Sequence, residues 1–228
     1  MTATPDARLT QGPREGRPAD ALRVEGLSLK RGALALDGVD LRVPAGGLAT
    51  LSGPVGCGKS SLAAAICGVL PVAGGRIAVG GVDVTQLPPE RRRVGWVPQD
   101  GGLFPRQTAA RQIELPLRVR GVRRGERRRR VREVATTWGV DTLSDRTTEE
   151  LSGGQRRLVA VARAVASEPS LLLLDETLAN LDVGERSRTI ERLAAWRSDT
   201  DGGVLLITHR TDEVPDADAR FELASPRQ

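Results

Sequence analysis

The chain has 228 residues, enough for one large domain, or a domain with a subdomain, around a proper core. Its formal net charge is +5, with almost all of the positive charge on arginine, a balance that suits anionic partners but says nothing of fold. Only two cysteines occur, without metal-clip spacing, which argues against a disulfide scaffold and for a reducing cytosol; no apolar run approaches the roughly 20 residues that span a bilayer.

Residues 1–20 are rich in Pro, Gly, Arg and Asp and lack an apolar h-region, so they read as a disordered tail and not as a secretory signal. The alternation in Leu22-Arg23-Val24-Glu25-Gly26-Leu27-Ser28-Leu29 predicts a half-buried strand. A second such run, Val39-Asp40-Leu41-Arg42-Val43, ends at the turn Pro44-Ala45-Gly46-Gly47. The apolar strand Leu48-Ala49-Thr50-Leu51 then leads into Gly53-Pro54-Val55-Gly56-Cys57-Gly58-Lys59-Ser60-Ser61, and Leu62-Ala63-Ala64-Ala65-Ile66 continues as a helix. From Gly53 to Ser60 this fits the phosphate-binding pattern G-x-x-x-x-G-K-[ST] in its proper strand–loop–helix setting. Glycines let successive backbone N–H groups turn inward on an anion, and the helix start adds unpaired N–H groups and the positive end of its dipole. Lys59 reaches the terminal phosphates, and the Ser60 hydroxyl can hold Mg²⁺.

Further on, Gly74-Gly75-Arg76-Ile77-Ala78-Val79-Gly80-Gly81-Val82 reads as a strand bracketed by glycine turns. Pro88-Pro89-Glu90-Arg91-Arg92-Arg93 precedes the short strand Val94-Gly95-Trp96-Val97-Pro98, which leads to Gln99. Residues 108–145 turn helical and contain an arginine run over 118–132. Leu171-Leu172-Leu173-Leu174 and Val204-Leu205-Leu206-Ile207-Thr208 look like strands buried on both faces of a parallel sheet. Such strands alternating with helices predict an α/β fold, with the helical block between Gln99 and Leu151 as an insertion and no internal repeat.

The strand at 171–174 ends in two carboxylates. Asp175 stands where it can hold Mg²⁺ opposite the Ser60 hydroxyl, and Glu176 where it can orient or deprotonate a water attacking the terminal phosphate. In Leu151-Ser152-Gly153-Gly154-Gln155, Ser152 can cap a helix and the two glycines admit an anion close to the backbone. Taken alone, Ser-Gly-Gly is an ordinary turn.

Together, the loop Gly53–Ser61, the pentapeptide LSGGQ and the pair Asp175-Glu176 resemble the nucleotide-binding subunit of an ABC transporter, over about residues 22–223. The resemblance implies a P-loop NTPase (ABC ATPase) core over residues 21–224, with an antiparallel β subdomain, an inserted α-helical subdomain at about 100–160, and a short tail at 225–228. Its cofactors would be ATP and Mg²⁺. Gln99 falls where the Q-loop glutamine touches Mg²⁺ and the attacking water and faces the permease. Ala179-Asn180-Leu181-Asp182 corresponds to the D-loop and keeps its terminal Asp182; His209, the only histidine, corresponds to the switch histidine. Two subunits, a homodimer or a dimer with a related ATPase, would close head to tail. Each Gly53–Ser61 loop would then share an ATP with the other subunit's Ser152, Gly153, Gly154 and Gln155. The segment from Gln99 to Pro105 would receive the transmembrane permease, with Leu103 and Phe104 exposed for apolar contact.

Departures from that pattern are informative. Arg31, before Gly32, stands where the family usually stacks adenine on an aromatic residue. A guanidinium also stacks on flat rings, with weaker base discrimination, so GTP is expected to compete unusually well with ATP. Thr177 and Asn180 replace a proline and an alanine and remove no catalytic group. The arginine run reads first as a solvated helical face, then as attraction to anionic headgroups; nucleic acid is not expected, because no aromatic residues are interleaved. The approach through residues 88–95 and Leu103-Phe104-Pro105 looks most like bacterial importers, including those serving oxyanions, polyamines, sugars and thiamine; many carry a C-terminal regulatory domain, for which a chain stopping at Gln228 is expected to be too short. The expectation is a cytoplasmic ATPase, peripheral on the inner face of the membrane. The rivals are a soluble ABC-type ATPase acting on nucleic acid or ribosomes and a nucleotide switch that hardly hydrolyses. Against them stand the missing coiled-coil insertion, the single core and the intact Glu176 and His209.

Overall fold

The computed structural model describes residues 19–32, 34–179, 181–209, 214 and 216–224. Of the expected N-terminal tail at 1–20, residues 1–18 lie outside the described residues, as do the tail at 225–228 and Asn180 of the D-loop; Asp20 instead already pairs with Pro44 in the first strand.

Two sheets carry the fold, as an α/β P-loop core with an antiparallel sheet beside it. The strands β1 (Asp20–Arg31), β2 (Leu34–Pro44), β4 (Gly74–Val79) and β5 (Val82–Asp83) form an antiparallel sheet in the order β2-β1-β4-β5. The glycine-bracketed strand divides here, because Gly80 and Gly81 both take positive φ (55° and 78°) and turn β4 back into β5 as a hairpin. The second sheet is parallel: β6 (Val94–Val97), β7 (Leu171–Asp175), β8 (Gly203–Ile207), β3 (Leu48–Ser52) and β9 (Ala219–Glu222).

The four-leucine run shows how one strand serves two cores. Side chains alternate across a strand, so Leu172 and Leu174 join Val204 and Leu206 in one cluster with the helices of the inserted block. Leu171 and Leu173 join Leu205 and Ile207 in the other, against α1 (Lys59–Ile66) and the antiparallel sheet. Both faces are dry, which explains why the sequence shows no alternation.

Helices α2 (Ala109–Val119), α3 (Arg124–Trp138) and α4 (Gly153–Ala166) pack on one another, and α5 (Val183–Thr200) lies against α3 and β8. The helical stretch expected over 108–145 is broken between α2 and α3, where Gly121 has φ 73° after an α2 that already contains Pro116. The arginine run is split accordingly. Arg120 donates to the Ser167 carbonyl, Arg127 pairs with Glu114 at 2.8 Å, Arg129 with Glu126 and Glu133, and Arg130 with Glu168, while Arg118, Arg124, Arg128 and Arg132 are exposed.

Arg92 fixes the far end of α1. Its guanidinium, 5% exposed, donates to the carbonyls of Ala65 (2.8 Å), Ile66 (3.1 Å), Thr85 (2.9 Å) and Leu87 (2.7 Å). Of these, the Ile66 carbonyl lies at the helix C-terminus beyond the reach of helical N–H groups, whereas the Ala65 carbonyl also accepts from the Gly68 N–H at 3.0 Å. A lysine cannot reproduce the fork, so Arg92→Lys is expected to lower stability by about 1–3 kcal/mol, read from urea unfolding midpoints.

Candidate functional site

The loop after β3 is shaped by glycine. Gly53 has φ 147° and Gly58 φ 102°; a Cβ on Gly53 would meet the Leu223 carbonyl oxygen at 2.4 Å. Inside the turn, Lys59 is 6% exposed, and its Nζ donates to the carbonyls of Gly53 (2.7 Å) and Pro54 (2.9 Å), with Cys57 Sγ at 3.8 Å. It makes no ion pair among the described residues. The ammonium is buried and hydrogen-bonded without a direct ion pair, and Asp175 is the acid that acts on it from a distance, an arrangement that leaves it able to take an incoming anion.

Leu34, Val55, Gly56, Gly58, Lys59, Ser60 and Ser61 line a cavity of about 460 Å³ together with Gln99, Glu176 and His209. A neighbouring cavity of about 650 Å³ is lined by Arg31, Ser60, Trp96, Gln99 and Asp175, among others. Residues separated by up to about 180 positions in sequence thus converge on the carboxyl ends of β3, β7 and β8, where ligands of open α/β sheets bind.

Glu176 is the most constrained of them. It has φ 49°, uncommon outside glycine, and its backbone N–H is held by the Ile207 carbonyl at 2.9 Å. Gln99 Nε2 donates to its Oε2 at 2.9 Å, and His209 Nε2 lies 2.5 Å from its Oε1. Both oxygens are engaged.

Asp175 is 3% exposed and hydrogen-bonds the Ser60 side chain. Burial pushes its carboxyl above the usual carboxylate range and Glu176 adds to the rise, while Ser60, Lys59 and His209 oppose it. A buried carboxylate, a hydroxyl and the amide oxygen of Gln99, whose nitrogen is spent on Glu176, are hard oxygen donors of the kind Mg²⁺ takes. The residues fit the ion, with its remaining positions left to water and phosphate.

Ser152, Gly153, Gly154, Gln155 and Asp182 line neither cavity. They gather instead at the starts of α4 and α5. Ser152 Oγ accepts from the Gln155 N–H at 3.2 Å and Gln155 Oε1 from the Ser152 N–H at 2.9 Å, a reciprocal cap. Asp182 Oδ1 caps α5 by accepting from the Glu185 N–H at 2.8 Å. The Glu185 carboxylate lies against Gly154, where an added Cβ would be 2.5 Å from Oε2. Sequence reading passed over Glu185, Leu34 and Trp96. Glu185 is visible as an acid in the first turn of α5, but its contact with Gly154 is tertiary.

A groove of about 450 Å³ lies on the other side of Trp96, lined by Trp96, Phe104, Leu115, Val119 and Arg163 among others. Phe104 is 47% and Val119 68% exposed. Leu103, expected to be exposed beside Phe104, is instead half-buried against the cluster around α2 and α4, because the turn at Gly101-Gly102 rolls it inward.

The comparisons decide the family. A family model described as ABC transporter matches residues 36–179. The chain belongs to that family. It is 41% identical over 193 residues to the molybdate/tungstate import ATP-binding protein WtpC of Thermococcus kodakarensis, covering 85% of this chain and 58% of that protein. Its likeness to the protein of the same name from Archaeoglobus fulgidus is 44% over 159 residues, 70% of this chain and 65% of that one. The chain thus spans somewhat over half the length of the curated relatives it matches. Among solved structures it resembles a dimeric ATP-binding cassette in a post-hydrolysis state bound to ADP and Pi, with TM-score 0.79 and 25% identity over 90% of this chain and 97% of that one. It also resembles cbiO1 from Clostridium perfringens, part of the ABC transporter complex cbiONQ, with TM-score 0.77 and 27% identity over 90% of this chain and 85% of that one.

Because burial raises the native pKa of Asp175 above its unfolded value, ionising it costs stability above the native pKa, and the cost disappears as pH falls below the unfolded value near 3.8. Asp175→Asn is therefore expected to raise the melting temperature of the nucleotide- and metal-free protein at pH 7, by a margin that shrinks toward pH 4. Melts of both proteins at the two pH values check this.

Proposed function

We propose that the chain is the ATP-binding and ATP-hydrolysing subunit of an ABC importer, with its ATPase unit over residues 21–224 and a place on the inner face of the membrane beside a permease. The observation that carries this reading is Glu176, held beside the phosphate loop by Gln99 and His209, next to a buried lysine that makes no direct ion pair among the described residues. No helix among the described residues is long and apolar enough to cross a membrane.

In this reading the loop N–H groups and Lys59 take the β- and γ-phosphates of ATP, and Arg31 lies against the base. Ser60, Asp175 and Gln99 hold Mg²⁺, which screens the charge on the phosphates. Two copies, or this chain and a related ATPase, close head to tail so that Ser152, Gly153, Gly154 and Gln155 of one complete the site of the other. Asp182 stands at the same seam. Glu176 orients a water in line with the γ-phosphate through a remaining carboxylate lone pair and accepts its proton as the water oxygen bonds to the γ-phosphorus and the bond to the β,γ-bridging oxygen breaks, releasing ADP, while His209 stays within reach of the phosphate oxygens. The apolar groove around Phe104 and Val119 takes the permease, and the relatives' names favour an oxyanion such as molybdate or tungstate as cargo.

Purification from gently solubilised native membranes is expected to bring down a multi-span permease. Recovery only from the soluble fraction, with nucleic acid or ribosomes attached, overturns the transporter reading. Glu176→Gln is expected to cut turnover by about 10²–10⁴-fold while ATP binding and dimerisation persist, which separates an enzyme from a switch. In a competition titration GTP is expected to displace ATP with comparable affinity, and Arg31→Trp to widen the gap in favour of ATP; tight discrimination by the parent protein counts against stacking on Arg31.

A further inference from the structure

Between the groove and the start of α4 lies a buried polar cluster that the reaction does not use. Gln112, on α2, is 0% exposed. Its Oε1 accepts from the Phe104 N–H at 3.2 Å, and its Nε2 donates to the Phe104 carbonyl at 2.6 Å and to Thr148 Oγ1 at 3.1 Å. The amide thus reads both backbone groups of one residue, as a strand partner would, and has a hydrogen left for Thr148. Thr148 closes the circuit: its single hydroxyl hydrogen is in reach of the carbonyls of Phe104 (3.0 Å) and Gln107 (3.1 Å) and goes to one or is shared between them, and its own N–H donates to the Gln107 carbonyl at 3.1 Å. One residue on, Glu149 accepts from the Arg106 N–H at 2.8 Å.

Thr148 belongs to the short turn that runs directly into Leu151 and the Ser152 cap of α4. The other end of α4 grips the same segment. Arg163 donates to the carbonyls of Gly102 (2.6 Å) and Gly101 (3.0 Å), both at positive φ. Residues 101–107 are therefore fastened to the body that carries the LSGGQ motif at both ends. Their direct connection to the phosphate-loop core is the stretch from Pro98 to Asp100, which contains Gln99.

We propose that Gln112 is a positioning residue that makes the Phe104 segment and the LSGGQ segment move as one body. A displacement at Phe104 then shifts the signature serine with it. The physical warrant is a contiguous set of buried bonds with all of the amide's hydrogens spent. The proposal rests on reading residues 99–105 as the face that meets a permease only for its biological use; the mechanical tie is testable in the ATPase alone.

The test is hydrogen exchange in the Glu176→Gln protein, with and without ATP. ATP is expected to slow exchange both at residues 152–156 and at residues 103–107. Adding Gln112→Met, which keeps size and removes all three bonds, is expected to preserve the effect at 152–156 and reduce that at 103–107 by about fivefold or more. In the otherwise native protein the same substitution is expected to leave basal turnover within about twofold. A merely structural role predicts instead that protection at both segments and basal turnover fall together. The proposal is overturned by that outcome, by undiminished ATP-linked protection at 103–107 in the variant, or by no ATP effect there in the parent. Should Gln112→Met fail to fold, Thr148→Val removes the hydroxyl link alone and is expected to act in the same direction; protection unchanged in that variant also overturns the tie. Absence of a co-purifying permease, by contrast, removes the transporter reading and leaves these outcomes intact.

Discussion

A buried ammonium held inside its own loop, by two carbonyl oxygens and the Cys57 sulfur, is the constraint around which the molecule is built. Lys59 can sit inside its own loop only if residues 53–58 wrap tightly enough to present the carbonyls of Gly53 and Pro54 inward. That wrapping brings Gly53 within touching distance of the backbone at Leu223, after β9, and Gly58 against Leu34 and Leu36 of β2. The last strand of the parallel sheet and the edge of the antiparallel sheet therefore both close on the loop. Neither sheet can shift without disturbing it. A side chain at Gly53 meets backbone and not a flexible tip, so the position tolerates no relaxation.

What could be read in the sequence was what depends on local chemistry. The loop, the acid pair and the LSGGQ motif are contiguous, and each states its requirement in residue types: glycine where the backbone turns, hydroxyl where a helix is capped, carboxylate where a strand ends. The four leucines of β7 announced burial on both faces. What escaped depends on distant partners. β9 is a four-residue strand of alternating half-buried and exposed residues, and only its parallel pairing with β3 makes it part of the sheet. α5 has a dispersed apolar pattern with three buried residues, Thr189, Leu193 and Trp196, and its strongest local signal is the Asp182 cap. Leu103 shows the same limit from the other side: its apolar character was plain, but two glycines at positive φ decide whether it faces solvent or the core. Gln112 was equally hidden, since a lone glutamine in a helix reads as surface until its backbone partners are placed.

Glu176 ties these levels together. A non-glycine residue at positive φ stores strain of order 1–3 kcal/mol, which persists only where the surroundings over-determine it. Here they do so from three directions: Ile207 through the backbone, Gln99 and His209 through the two carboxylate oxygens. The partners belong to different parts of the molecule. Ile207 and His209 come from the end of β8, inside the rigid parallel sheet, whereas Gln99 leads directly into the segment that Arg163 and Gln112 fasten to the helical body. Each carboxylate oxygen that takes one partner keeps a further lone pair, so Gln99 and His209 fix the orientation of the group and leave it able to accept from a water, as the proposed reaction requires. Of the two side-chain restraints, the one from Gln99 belongs to a segment that continues into the helices, whereas the one from His209 belongs to the sheet. In the proposed reaction a shift of that segment would change the setting of Glu176 and the position of LSGGQ together, while Ile207 and His209 keep the carboxylate registered to the sheet.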